Sequence, residues 1–386
     1  MLQKLFSIII SLVISISAGA QGTCIINGNI ADSKLADGSK IKAVSLMRAD
    51  ENGQKTEVAV AKVKKGEYTF KYELSKNEPV LMYTIAGFGE DNDIELFIES
   101  GKITVSTPSA AEPCMSTVTG TPTNDTYTEY KAILNNRENE IATMVKELVN
   151  TAGHNEEAIK KLQARESIKT RSQIIRFLID HNTSPMTPFE IEHTLLPILS
   201  TAYADQIVKS VSTTLHSHPY YHSLRNKVLA NDMKVGNELP DITLPMLDGE
   251  KKNLNDFRGK YVILNFWSSD CAKSASMITE LQHLYEVIKG KEECVIISFS
   301  LDNDTAAWKE AVNSKGIKHE VWLHASDGAG MDSPAAKTYK VEKTPQIILV
   351  EPEGRAVSLN MDIDEVVMRI EQIMSGDLYY LDQKEE

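Results

Sequence analysis

Apolar residues along this chain follow three different spacings. Between Cys24 and Thr121 they come in short runs where apolar and polar positions alternate: KIKAVSLM (40–47), VAVAKV (58–63), YTFKYEL (68–74), VLMYTIAGF (80–88), IELFIE (94–99) and ITVST (103–107). Turn signals such as Asp37-Gly38, Lys65-Gly66 and Ser100-Gly101 lie between them. A period of two, broken by turns, predicts short strands in an antiparallel β-sandwich-like domain.

From about Asn124 to Asp232 the period lengthens. Ile141, Met144, Val145, Leu148 and Val149 fall at i, i+3, i+4, i+7 and i+8, which is one face of a helix. Ile174, Ile175, Leu178 and Ile179 repeat the pattern ahead of Pro185 and Pro188. The spacing predicts a helical middle domain of about five helices.

Beyond Val235 the pattern changes again. YVILNFW (261–267) and CVIISFS (294–300) are nearly continuous apolar runs, as expected of strands buried on both faces. Helical stretches are predicted from Cys271 to about Lys289, Thr305 to Lys315 and Asp364 to Met374, with further strands in VWLHA (321–325) and QIILVEPEG (346–354). Strands alternating with helices predict a mainly parallel sheet in an α/β domain. Sites in such sheets lie beyond the carboxyl ends of the strands, where Cys271 falls.

The first twenty residues, MLQKLFSIIISLVISISAGA, stand apart. One lysine, an apolar run from Leu5 to Ile16 and the small residues Ala18-Gly19-Ala20 form a secretory signal peptide, too short in its apolar core for a membrane span. A lipoprotein cut before Cys24 would want a large apolar residue where Gln21-Gly22-Thr23 stands. The expected organisation is a signal peptide over 1–20, a β-rich domain over 21–122, a helical domain over 123–232 and an α/β domain over 233–386, soluble in the periplasm or cell envelope.

Charge and cysteine count narrow the partners. With 54 acidic against 41 basic side chains the net charge is −13, which disfavours nucleic acid and anionic lipid. Four cysteines are too few for a disulfide scaffold in 386 residues, so each is read singly. Cys271 lies in FWSSDCAKS (266–274), which has the setting of a Cys-x-x-Cys redox pair but holds one thiol, with Ser274 at the second position. At a helix N-terminus the first thiolate of such a pair is favoured by free N–H groups and the helix dipole. It attacks a disulfide, and the second thiol resolves the product. A serine hydroxyl cannot do that.

The third region is similar to the extracytoplasmic thioredoxin-like proteins of the TlpA and ResA type. The resemblance rests on VGNELPDITL (235–244), Leu247-Asp248-Gly249, LNDFRGKYVILNFW (254–267), YKVEKTP (339–345) and Pro352-Glu353-Gly354, and covers most of residues 234–376. Residues 24–230 look like the strand-rich (DUF4369-like) and helical regions that accompany this module in some envelope proteins. The resemblance implies a thioredoxin fold and thiol-disulfide exchange, with Cys271 as nucleophile, Ser274 in the resolving position, Trp267 four residues ahead as in family members, and Pro345 as the cis-proline beside the cysteine. Envelope proteins or small-molecule thiols and disulfides are the implied partners; no cofactor and no metal are implied. The chain departs from the pattern at Asp270, where the family has a bulky residue, at Lys273, where it often has proline, and at Thr279, where it tends to kink the helix. Asp270 should oppose the thiolate and Lys273 favour it, while Thr344 precedes the proline.

The other cysteines and the histidines read more simply. Cys294 opens a buried strand while Cys271 follows the end of its neighbour, on the order of 20 Å away, so Cys294 is a core residue. Cys24 and Cys114 bracket the strand domain and could form a structural disulfide if its first and last strands pair; two free thiols are the alternative. Leu215-His216-Ser217-His218-Pro219-Tyr220-Tyr221-His222 lacks the spaced carboxylate or thiol that would complete a zinc site and reads as a polar loop. Three functions stay open: monothiol exchange through Cys271, a redox-inactive binding or assembly module using the thioredoxin groove and the β domain, and a single-cysteine peroxidase. The last is disfavoured by Leu264 and Ser268 at the usual peroxidatic Pro and Thr positions.

Overall fold

A computed structural model of the chain describes residues 22–50, 53–89 and 92–375. The signal peptide expected over 1–20 lies outside them. Two compact units emerge, one comprising residues up to Leu199 with Gln206–His222, the other Ser200–Asp205 with the chain from Ser223 onward.

Among the described residues the first unit holds eight strands: β1 (Gly22–Asp32), β2 (Ala43–Ala49), β3 (Lys55–Lys62), β4 (Glu67–Leu74), β5 (Leu81–Ala86), β6 (Ile94–Ile98), β7 (Gly101–Ser109) and β8 (Thr117–Thr119). They form two four-stranded sheets, ordered β4-β1-β7-β8 and β3-β2-β5-β6. Alternate positions of each strand point inward, so Ile26, Leu46, Ile85, Leu96, Ile103 and Val105 make one apolar layer between the sheets. The arrangement departs from a purely antiparallel sandwich at one pair. β1 and β7 run parallel, with Cys24 opposite Gly101 and Asp32 opposite Ser109.

That parallel pair decides the disulfide question. The first strand does meet a late one, but Cys24 sits at the start of β1 while Cys114 lies five residues past the end of β7, on a 3-10 turn over Pro113–Met115. Eight residue steps separate the two ends, roughly 26 Å of strand. Both cysteines are free, Cys24 buried and Cys114 exposed, which is the alternative the sequence reading held beside a bridge.

Helices α1 (Pro122–Ala152), α2 (Glu156–Asp180), α3 (Met186–Glu190), α4 (Thr201–Ser210) and α5 (Pro219–Asn231) follow. The buried Asn124 fastens α1 to the sandwich, accepting a hydrogen bond from the Phe97 N–H and donating to the Phe97 carbonyl, both at 2.8 Å. Gly153, with φ of 73°, ends α1, and the Asn155 side chain caps α2 by accepting from the Ala158 N–H. Between α1 and α2 the buried Glu166 meets Lys169 and Arg137, both at 2.9 Å, and Arg165 at 3.0 Å. Hydrogen bonds from Lys169 first and Arg137 next lower its carboxyl to about 2, against the opposing effect of burial. The histidines of residues 216–222 are engaged locally: the His218 ring contacts the Val80 carbonyl at 3.1 Å, and His216 stacks on Tyr221 at 4.2 Å.

After the end of α5, the second unit continues with a hairpin, β9 (Thr243–Pro245) and β10 (Lys251–Asn253). Its main sheet comprises β11 (Tyr261–Trp267), β12 (Cys294–Ser300), β13 (Trp322–Ala325), β14 (Gln346–Val350) and β15 (Ala356–Ser358), ordered β13-β12-β11-β14-β15. Helices α6 (Ala272–Ile288), α7 (Thr305–Ser314), α8 (Pro334–Thr338) and α9 (Ile363–Ser375) complete the unit. Two apolar clusters flank the sheet. One contains Leu264, Phe266, Ile297 and Phe299; the other contains Ile263, Trp267, Ile278 and Leu281. Consecutive β11 residues thus point to opposite faces, which is why YVILNFW lacks a polar side. Truncating Leu264 or Ile297, both fully buried, to alanine would cost about 2–5 kcal/mol.

The sheet is mixed where a mainly parallel one was expected. β11, β12 and β13 run parallel, but β14 is antiparallel to β11, with Phe266 opposite Gln346. The consequence is functional. An antiparallel β14 begins at the same edge at which β11 ends, so Pro345, just ahead of β14, reaches the residues that follow Trp267.

Candidate functional site

Four short segments meet at the carboxyl edge of β11. Strand β11 ends at Trp267, the turn Ser268-Ser269-Asp270 follows, and Cys271 occupies the N-cap position of the seventeen-residue helix α6. The thiol, partly exposed, therefore lies where α6 leaves its first N–H groups unpaired. From across the sheet edge comes the Thr344–Pro345 peptide, which is cis. The Cys271 Sγ–H donates to the Thr344 carbonyl at 3.5 Å. Cys271, Thr344 and Pro345 are thus brought together.

Ser274 completes the group from inside. One turn into α6 it is fully buried, and its Oγ accepts a hydrogen bond from the Ser268 N–H at 3.3 Å. The same hydroxyl keeps a hydrogen to donate. The Cys271 thiol is lowered from its ordinary range chiefly by hydrogen bonding to the Ser274 hydroxyl, then by the Ser274 N–H. Burial works the other way, and Thr344 and the Lys273 N–H add to the lowering. The residue that replaces a second thiol thus stabilises the first as an anion.

The charged neighbours matter less than their formal charges suggest. Asp270 and Lys273 are both exposed, and neither side-chain charge is among the causes that move the thiol; solvent screens them. Asp270 instead accepts a hydrogen bond from the Ser268 hydroxyl. Trp267 is fully buried and packs with Ile278 and Leu281 of α6, so it supports the helix that Cys271 caps.

Sequence reading missed Asp302. This buried carboxylate, two residues past β12, accepts from the Ser269 N–H at 2.9 Å, the Ser269 hydroxyl at 2.9 Å and the Ser300 hydroxyl at 2.6 Å. It holds the turn that delivers Cys271 to α6. Its signal was available in its position: Asp302 follows the carboxyl end of a buried parallel strand as Cys271 does. Cys294 pairs with Tyr261 at the other end of β11, is fully buried, and burial pushes its thiol up to about 11.

Comparison with known proteins bears directly on this geometry. The AhpC/TSA family matches residues 235–357, and the domain of unknown function DUF4369 matches residues 24–127. The thiol-disulfide oxidoreductase ResA of Bacillus thuringiensis subsp. konkukian is 33% identical over 126 residues, which span 32% of this chain and 68% of that protein. The chain belongs to the ResA thiol-disulfide oxidoreductase family. ResA of Bacillus subtilis is 24% identical over 140 residues, covering 36% of this chain and 74% of that protein. Among solved structures, the C-terminal domain of a putative thiol-disulfide oxidoreductase from Bacteroides thetaiotaomicron is 28% identical with a TM-score of 0.35, covering 37% of this chain and 97% of that one. This chain is therefore a thioredoxin-fold protein of thiol-disulfide oxidoreductase type, with a DUF4369 domain ahead of its ResA-like region. Its Cys-Ala-Lys-Ser sequence gives the ResA-like site one thiol. No helix among the described residues is long and apolar enough to cross a membrane.

Proposed function

We propose that the chain is a cell-envelope thiol-disulfide exchange protein that works as a monothiol through Cys271. One observation carries the reading: at the N-terminus of α6 and against Thr344-Pro345, a single accessible thiol is held acidic by the buried hydroxyl of Ser274. The Cys271 thiolate attacks one sulfur of a partner disulfide, its S–S bond breaks, and the other sulfur leaves as a thiolate and takes a proton from solvent. A mixed disulfide remains on Cys271. Ser274 has no sulfur to attack it, and Cys294 stands at the far end of the sheet, so an external thiol must release the partner and regenerate Cys271.

Ser274 thus changes the type of chemistry rather than abolishing the nucleophile. The internal two-electron couple is lost, and capture of a partner is favoured over its release. The N-terminal twenty residues support secretion, which would place the thiol in an envelope containing protein and small-molecule disulfides. The peroxidase reading has less support: Leu264 is buried in mid-strand, and the Ser268 hydroxyl is directed to Asp270.

Trapping tests the reading. Non-reducing gels of cells carrying the wild type should show thiol-sensitive adducts that vanish with Cys271→Ala. Identical band patterns would leave the fold as a redox-inactive binding module.

A further inference from the structure

A second concave site lies in the first unit, unrelated to the thiol. Helices α1 and α2 and the turn over Leu196–Ile198 line a cavity of about 290 Å³, close to the lower size of small-molecule sites. Its apolar walls are aliphatic, from Leu134, Ile141, Ile174, Leu195 and Ile198, with no aromatic face on which a ring would stack. Two guanidinium groups line it, and they are not equivalent. Arg137 is taken up by Glu140 and by the buried Glu166 at 2.9 Å. Arg171 pairs with none of the described residues; its Nε is covered by protein, and its terminal N–H groups are the ones a ligand in the cavity can meet.

A partly buried guanidinium with no counter-ion and no acceptor is costly. The hydroxyls nearby do not relieve it: Thr170 donates to the Glu166 carbonyl at 2.9 Å, and Thr194 donates to Glu190 at 2.7 Å. Glu138 is at the exposed rim, where solvent screens it. We propose that this groove binds an aliphatic carboxylate, its hydrocarbon tail along Leu134, Ile141 and Ile174 and its head on the planar fork of Arg171. A single cation above an aliphatic trough matches a ligand with one anionic end. The Ser167 hydroxyl at the exposed rim adds a neutral donor that can reach the same head group.

Calorimetric titration of the purified full chain with octanoate and with octanol tests the proposal, since the two share a tail and differ in charge. Octanoate should bind saturably, at one site per chain, at least about tenfold tighter than octanol. Arg171→Gln, with its fold checked by circular dichroism, should reduce octanoate to the octanol level, and Ile174→Ala should weaken both. Should Arg171→Gln misfold, Ser167→Trp at the exposed rim provides a second test, because its indole would occupy the groove and must abolish octanoate binding. Octanoate binding no tighter than octanol, no saturable octanoate heat at millimolar concentration, or octanoate binding that survives Ser167→Trp would overturn the proposal.

Discussion

Two parallel strand pairs, β1/β7 in the sandwich and β11/β12 in the thioredoxin sheet, each have one cysteine at a strand start and another past the exit of the paired strand, at the opposite end. Cys24 and Cys294 sit at strand starts and are buried, and burial pushes each thiol up to about 11. Cys114 and Cys271 lie beyond strand exits and reach solvent. There the likeness stops. Cys114 follows into a three-residue 3-10 turn, whereas Cys271 caps a seventeen-residue helix and meets Ser274 and the Thr344 carbonyl. Cys114 is the more exposed of the two, so exposure alone does not make a site. A helix N-terminus, a hydrogen-bond donor for the anion and a groove wall do.

The sharpest way to break this comparison is to alkylate all four thiols at neutral pH. Thiols raised to about 11 expose on the order of a hundredfold less thiolate than an ordinary cysteine, so Cys24 and Cys294 should react at least about a hundredfold more slowly than Cys271. Cys114 should fall between. Peptide mapping after timed iodoacetamide pulses would read the order, and a Cys114 rate above that of Cys271 would erase the distinction drawn between the two exits.

Restoring the couple should have the next largest effect. Ser274→Cys should raise insulin-reduction activity at least about tenfold over a wild type that is nearly inactive, because a second sulfur can then release the mixed disulfide. No gain would mean that the groove does not admit a protein disulfide.

A smaller effect isolates the hydroxyl. In a Cys114→Ala background, the alkylation rate of Cys271 should rise with pH through a midpoint below that of an ordinary thiol, since hydrogen bonding favours the thiolate. The sign of the linked stability follows: a group made more acidic by folding stabilises the fold above its unfolded pKa, and that contribution disappears as pH falls through the folded value. Ser274→Ala should move the midpoint up and slow the neutral-pH reaction by roughly three- to tenfold. Asp270→Asn and Lys273→Gln should each alter it by less than about twofold, as exposed charges do. A larger response to either charge would show that the rim, not the buried hydroxyl, sets the thiol.

Much of this was legible in the sequence because burial writes a period. The runs YVILNFW and CVIISFS marked the central strands, and the helix after Cys271 ends within a residue of where its pattern fades. Strand direction leaves no such mark. The antiparallel β14 that delivers Pro345, and the parallel β1–β7 pair that separates Cys24 from Cys114, both depend on long-range pairing. Asp302 escaped for the same reason, since its partners Ser268 and Ser269 are more than thirty positions away. The effect of Ser274 on the thiol was likewise hidden: its identity showed the lost couple, but only its burial beneath Cys271 shows what the hydroxyl does instead.

Intact-mass spectrometry of the purified Cys114→Ala chain after exposure to a small symmetric disulfide such as oxidised glutathione reads monothiol capture itself. One mixed disulfide is expected, mapped to Cys271, that persists in buffer and disappears on addition of an external thiol. A chain that stays unmodified, or that gains the same adduct with Cys271→Ala, would contradict it.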